Sequence, residues 1–370
     1  FAPMVDISRD PRWGRVVEGA GEDPYLGSLI AKARVRGFQG NKLGDLDAVM
    51  ACAKHFAAYG AAIAGRDYNS VDMSDRQLWE VYLPPFKAAA DAGVATFMNS
   101  FNDLNGIPAT GSKYLQRDIL KGRWNYDGFV VSDWTSIPEM VAHGYAKDRT
   151  QAAERAILAG SDMDMQGGVY ISNLVQLVKE GKIPEALIND AVTRILKKKF
   201  EMGLFEDPFR YSNEQREKKV LNSKAHHEAA LDAAKRSIVL LKNENQTLPL
   251  STGLKKIAVI GPLANAGNQM RGAWTVYWPD DHMISLYEGL QNRLGEKTQL
   301  LYAKGCDVTD TSTTGFKEAI AVAQSADLVI MAMGERSDMS GEAKSRADIS
   351  MPGVQEKLLK AIKKTGKKVV

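Results

Sequence analysis

GFVVSDWTSI (128–137) sets an apolar, β-branched run directly against an aspartate, Asp133, and a tryptophan, Trp134. Such a run reads as a buried strand, and the abrupt change to polar residues marks where it leaves its sheet. The same grammar recurs on both sides of it. Strands are expected at FAPMVDI (1–7), AVMACAKHF (48–56), ATFMNSF (95–101) and GSDMDM (160–165), with helical spacing at 25–37, 75–92, 114–123, 151–159 and 184–201. Strands that alternate with amphipathic helices imply βα units and a parallel sheet. Polar side chains follow the strands directly: Arg12 and Arg15, Lys54 and His55, Asn99, then Asp133 and Trp134. A TIM barrel gathers its chemistry at such strand ends.

A closed barrel needs eight strands, and about five are found. The shortfall is expected before Phe1. KKIAVIGP (255–262) restarts a strand after the polar tract NENQTLPL (243–250), with further strands at 327–335 and 367–370 and helices at 316–324 and 354–365. The fold class expected is therefore α/β: a TIM-like (β/α)8 barrel lacking its N-terminal part over 1–208, a linker over 209–254, and an α/β sandwich lacking its C-terminal part over 255–370. Both ends read as cut from something longer, with further domains beyond Val370.

The chain carries 48 basic and 45 acidic residues, a formal charge of +3, with no basic block interleaved with aromatics, which disfavours nucleic acid. A neutral small molecule or oligosaccharide suits that balance better. No apolar run reaches membrane-spanning length, and no secretory signal opens the chain. Cys52 and Cys306 fall in different expected domains and suggest no disulfide framework. IAVIGPLANAG (257–267) lacks the G-x-G-x-x-G spacing of a dinucleotide turn. His55, His143, His226, His227 and His282 show no ligand spacing, so neither metal nor cofactor is expected. The pair His226 and His227 reads as interdomain packing.

Asp133 has two readings: a carboxylate facing the barrel mouth, or a cap on the following helix. In KHFAAYG (54–60), Lys54 and His55 are adjacent, so at least one should reach the mouth. In RDPRWGRVVEG (9–19), Arg12 and Arg15 suit either hydroxyl groups or an ion pair with Glu18 or Glu22. GERSDMSGEAKSRADI (334–349) is a charged loop whose default is solvation, but its glutamates, Glu335 and Glu342, stand on a segment long enough to reach a neighbouring domain.

Taken together, APMVDISRDPRWGRVVEGAGEDPYL (2–26), KHFAAYG (54–60), DMSDRQLWEVYLPPFKAAADAG (72–93), NDLNGIPAT (102–110), VVSDW (130–134), RSIVLLKNENQTLPL (236–250) and IAVIGPLA (257–264) resemble glycoside hydrolase family 3. The likeness is to its periplasmic β-glucosidase branch and covers essentially the whole chain. It implies a β-glycosidase in a periplasmic or secreted setting and leaves a homodimer open. It also implies that Asp133 is the nucleophile and that Glu342, in SGEAKSR, is the acid/base, with Glu335 as second choice. Arg15, Lys54, His55 and Met98 would hold the terminal sugar, and Trp134 would stack on the group beyond the cleaved bond. Two departures stand out. Phe101 occupies a position where the family commonly has tyrosine, and the family's aspartate for the far sugar hydroxyls lies upstream of Phe1.

Retaining hydrolysis needs one carboxylate to attack and one acid to protonate the leaving oxygen, with the two roughly 5–5.5 Å apart when competent. A β-N-acetylglucosaminidase of the same family would carry a histidine in the loop after KH, and KHFAAYGAAIAGRDYN (54–69) has none there. A β-xylosidase or arabinosidase differs by one hydroxymethyl group of substrate. A silent carbohydrate-binding homologue would lack one of the two carboxylates.

Overall fold

The computed structural model describes residues 1–251, 253–275 and 283–370, so His282 lies outside the described residues. The chain divides into two compact units: 1–213 with 341–347, and 214–340 with 348–370. The segment Gly341–Ala347, read from sequence as part of the sandwich region, thus packs as part of the first unit.

In the first unit, strands β1 (Cys52–Phe56), β2 (Thr96–Asn99) and β3 (Phe129–Val131) pair in parallel in chain order, Cys52 opposite Thr96 and Thr96 opposite Phe129. Parallel bridges extend this arc on either side, Met4 to Lys54 and Val131 to Met163. Staves that follow one another in chain order, each separated by helices, form the arc of a TIM-like barrel. Ala53, Phe56, Phe97 and Val130 join Val35, Leu83, Phe86, Leu115 and Ile119 in one apolar core, while Cys52, Met98, Phe129 and Val131 pack together in another. Both faces of the sheet are thus buried, which explains why the strands read as continuous apolar runs.

Three expected elements depart furthest from their patterns. The stretch 1–7 contributes only the bridge at Met4, because Pro3 has no N–H to continue a ladder. The stretch 160–165 contributes only the bridge at Met163; the Asp162 carboxylate takes the Val130 N–H at 2.8 Å, in place of a ladder carbonyl. The helix expected over 75–92 is broken into Asp75–Gln77, a wide π turn Leu78–Tyr82 and Pro84–Asp91. Pro84 and Pro85 cannot donate backbone hydrogen bonds, so the chain restarts a helix there.

The second unit holds a parallel sheet of β4 (Lys256–Ile260), β5 (Gln299–Ala303), β6 (Leu328–Met331) and β7 (Lys368–Val369) in the order β5-β4-β6-β7. Ala258, Ile260 and Val329 pack on Ala319, Ala323, Leu358 and Ile362 on one face, while Ile257, Val259 and Leu328 meet Tyr287, Leu290 and Leu294 on the other. Helices on both faces make this an α/β sandwich. Strand β5 and helix Leu286–Leu294 are additions to the sequence reading. The helix is marked by a capping box in which Ser285 and Glu288 bond reciprocally. His226 and His227 sit exposed on helix Lys224–Ser237. Cys52 and Cys306 are free and buried. Among the described residues no helix is long and apolar enough to cross a membrane.

Candidate active site

Asp133 leaves the end of β3 and is 7% exposed. Buried polar side chains fix the backbone beneath it: the Asp133 N–H donates to Asn99 Oδ1 at 3.3 Å, and Asn99 Nδ2 donates to Ser161 Oγ at 2.8 Å. Its own Oδ1 accepts the Trp134 N–H at 2.7 Å. Oδ2 is buried and accepts no hydrogen bond from the described residues. Burial pushes the carboxyl up to about 6, against the downward pull of the Trp134 N–H, Lys54 and Arg15. The carboxylate therefore presents one tethered oxygen and one free one. It caps no helix, since helix Ser136–Ala142 starts without a side-chain cap.

His55 is buried beside it, with Nε2 3.7 Å from Asp133 Oδ2. Arg15 Nη2 lies 2.9 Å from the same Nε2. A guanidinium only donates, so Nε2 accepts, and Nδ1 carries the proton that it gives to Asp6 Oδ2 at 3.0 Å. Burial, with the Arg15 and Lys54 cations, holds the imidazole well below its ordinary range. The ring is neutral, and its contact with Asp133 is not an ion pair. The His55 backbone N–H also donates to Asp6 Oδ2 at 2.9 Å, and burial pushes the Asp6 carboxyl up to about 7.

Arg15, 1% exposed, links the two sides of the site. Its Nε donates to Glu18 Oε1 at 2.6 Å and its Nη1 to Glu342 Oε1 at 3.1 Å. Burial opposes its charge, but Glu18 and Glu342 hold the guanidinium above its ordinary range. Glu18 is thus the ion-pair partner rather than Glu22, while Arg12 pairs with Asp10 at 2.7 Å.

Glu342 reaches this place because its loop pairs with residues 12–14. Trp13 and Ser345 form an antiparallel bridge, Gly14 N–H donates to Lys344 O at 3.0 Å, and Gly341 N–H donates to Gly14 O at 2.8 Å. Only glycine fits at position 14: a Cβ there would lie 2.3 Å from Gly341 O. Glu342 Oε1 also accepts the Tyr68 hydroxyl at 2.9 Å. Burial and the nearby Glu342 carboxylate hold that phenol above its ordinary range, so it remains a donor. Tyr68, Phe101, Trp134, Thr135, Glu139, His143 and Glu342 line a cleft of about 490 Å³. Phe101 meets Tyr68 edge-on at 5.3 Å, and Trp134, 56% exposed, stands at the rim. Met98 is buried with Cys52 and Val131, and Lys54 is half-buried on β1. Glu335 is exposed in the second unit, with Ser340 Oγ 3.4 Å from its Oε2.

The residues that the sequence reading passed over are Asp6, Asp67 and Tyr68. Asp6 follows the apolar run of FAPMVDI as Asp133 follows GFVVS, so the strand-end rule would have found it. Asp67 and Tyr68 lie in the quoted stretch after KH, but nothing local signals that they meet a segment far along the chain. Among the described residues no group of histidine, cysteine and acidic side chains is placed to hold a metal ion.

Residues 1–198 match the family described as Glycosyl hydrolase family 3 N terminal domain, and residues 238–370 match Glycosyl hydrolase family 3 C-terminal domain. The chain is 40% identical to the periplasmic beta-glucosidase of Salmonella typhimurium, over all of this chain and 51% of the relative. It is 38% identical to a beta-xylosidase of Formosa agariphila, over all of this chain and 53% of that relative. Among solved structures, a beta-glucosidase from Listeria innocua in complex with isofagomine superposes with a TM-score of 0.93 at 42% identity, covering all of this chain and 51% of the other. The chain thus spans about half the length of these relatives. With family matches over both units and this level of identity along the whole chain, the protein belongs to glycosyl hydrolase family 3.

Proposed function

We propose that this chain carries the catalytic carboxylates of a retaining exo-acting β-glycosidase, a β-glucosidase, with Asp133 as nucleophile and Glu342 as acid/base. The observation that carries the reading is the pair itself. Asp133 offers a buried Oδ2 that accepts no hydrogen bond from the described residues, and Arg15 touches both the neighbouring His55 and a second carboxylate, Glu342, which lines a cleft with Trp134, the residue next to Asp133. In the first step Asp133 Oδ2 attacks the anomeric carbon while Glu342 gives its proton to the departing oxygen, leaving a glycosyl-aspartate ester. In the second step water attacks that ester, Glu342 takes the proton back, and Asp133 is freed.

A neutral His55 and a cationic Arg15 suit the remaining work, which is to hold sugar hydroxyls without donating a competing proton. Lys54 contributes positive charge that favours the ionised Asp133. Met98 completes the set around the terminal sugar, and Trp134 stacks on the sugar beyond the cleaved bond. The names of the relatives support a periplasmic or secreted setting, and support a β-xylosidase as the second reading.

The test is the release of aryl alcohol from aryl β-glucoside, β-xyloside and β-N-acetylglucosaminide by the protein. The glucoside is expected to turn over fastest. Preference for the xyloside moves the assignment to the second reading, and release from none of them removes it.

A further inference from the structure

We infer that Asp67 is the positioning residue for the acid/base glutamate, a step that rests on the reading of Glu342 just given. Glu342 stands between two residues with left-handed backbone, Gly341 at φ 112° and Ala343 at φ 59°. Glycine takes that conformation freely, but alanine does so only at a cost, because its Cβ crowds the backbone, so something must hold Ala343 in place. Asp67 does. Its Oδ2 accepts the Ala343 N–H at 2.7 Å, and its Oδ1 accepts Trp13 Nε1–H at 2.7 Å. Its own N–H donates to Ser345 Oγ at 2.9 Å. Asp67 is 8% exposed and Trp13 1%, so these bonds are shielded from water.

The pairing of residues 341–346 with 12–14 sets the register of the loop, but its backbone hydrogen bonds fall on Gly341, Lys344 and Arg346 and leave Ala343 to Asp67. The clamp therefore acts on the peptide that follows Glu342. The next residue, Tyr68, has its own backbone at φ 63° and sends its hydroxyl to Glu342 Oε1. One short turn thus fixes both the backbone and the carboxyl of the glutamate. Oε1 already receives donors from Arg15 and Tyr68. The proton for the leaving group consequently rides on Oε2, and the orientation of that oxygen depends on the clamp.

A carboxylate is required at position 67 because both oxygens face N–H donors. Asparagine has the same shape but one acceptor, so its amide must turn an N–H toward either Ala343 or Trp13. The test compares the protein with its Asp67→Asn, Glu342→Ala and Asp67→Asn/Glu342→Ala variants. Two readouts are taken on each: the ratio of rates on phenyl and dinitrophenyl β-glucosides, and the inactivation rate with a dinitrophenyl 2-fluoro glucoside. The last needs the nucleophile but no acid, so it reports damage to the rest of the site.

For Asp67→Asn the phenyl-to-dinitrophenyl ratio is expected to fall by about tenfold or more while inactivation changes by less than about threefold. In the double variant the ratio should fall no further than in Glu342→Ala alone, since the two residues act through one group. Equal losses on both substrates, or a double-variant ratio equal to the product of the single effects, would overturn the inference. An unchanged ratio in Glu342→Ala instead removes the acid/base reading itself, and the role of Asp67 with it. A Tyr68→Phe variant covers the case in which Asp67→Asn does not fold. It leaves the backbone clamp intact, and a selective fall in the same ratio supports the turn as the holder of Glu342, whereas a uniform fall contradicts it.

Discussion

Asp133 leaves the end of a strand whose backbone is already fixed by the sheet, whereas Glu342 stands on a loop held by residues far away in the chain. The first sits 7% exposed over a network of Asn99, Thr110 and Ser161, and a single N–H from its neighbour orients it. The second has a side chain 34% exposed and depends on Arg15, Tyr68 and Asp67 for its position. Burial thus raises the pKa of one carboxylate, and tethering positions the other. Burial leaves Asp133 with one oxygen that accepts no hydrogen bond from the described residues, and the tethers fix the place of Glu342.

The largest effect that separates the two regions is expected from Asp133→Asn. Turnover on every substrate should fall on the order of 10⁴-fold or more, because the amide is nearly isosteric but a very poor nucleophile. Stability should move the other way. A carboxyl whose folded pKa is raised from 3.8 to about 6 favours the folded state fully below the unfolded value and loses that contribution as pH rises through about 6. At neutral pH the variant is therefore expected to be more stable than the parent by up to about 3 kcal/mol. Denaturant melts at neutral pH and at about pH 4, where the two should converge, check this. A variant no more stable at neutral pH would break the claim that burial, and not tethering, tunes Asp133.

Glu342→Ala should cost roughly 10²–10⁴-fold on phenyl and alkyl glucosides and far less on a dinitrophenyl glucoside. Azide should restore turnover and give a β-glycosyl azide, because the anion takes the place of water at the anomeric carbon in the second step and needs no base to lose a proton. Rescue of a Glu335→Ala variant instead would transfer the acid/base role to Glu335.

A third, smaller effect concerns pH in the unaltered protein. With a dinitrophenyl glucoside no proton is needed by the leaving group, so kcat/KM should report the ionisation of Asp133. The rate should fall as pH drops through about 6, since the raised group is then protonated and cannot attack. A limb near the ordinary carboxylate range would place the nucleophile in a wetter site than the one described. The smallest effect is expected from Glu335→Ala, at most about twofold on any substrate, as for an exposed loop side chain.

The same contrast explains what was legible in the sequence. Asp133 is announced by its own neighbours, because a β-branched run ending in a charge is a local pattern. The parallel arc, the second sheet and the strand-end residues follow from that kind of signal. Where proline or a side-chain carboxylate interrupts the ladder, as at Pro3 and Asp162, hydrophobic pattern overstates the strand. Strand β5 is hidden because its apolar run is short and set between polar residues, Gln299 before it and Lys304 after it, and the Asp67 clamp is hidden by a separation of 276 residues along the chain between its partners. Gly14 carries the consequence of that long-range pairing but not its address: the sequence shows a glycine, and only the fold shows what lies against it.

The most direct measurement is covalent trapping with a 2-fluoro glucoside, followed by proteolysis and identification of the labelled peptide. The fluorine slows both steps, and a good leaving group restores the first, so the glycosyl ester accumulates on the attacking residue. Label on Asp133 in the peptide containing VVSDW is the predicted result, with no labelling of Asp133→Asn. Label on Glu342, or on any carboxylate other than Asp133, would contradict the assignment of the nucleophile.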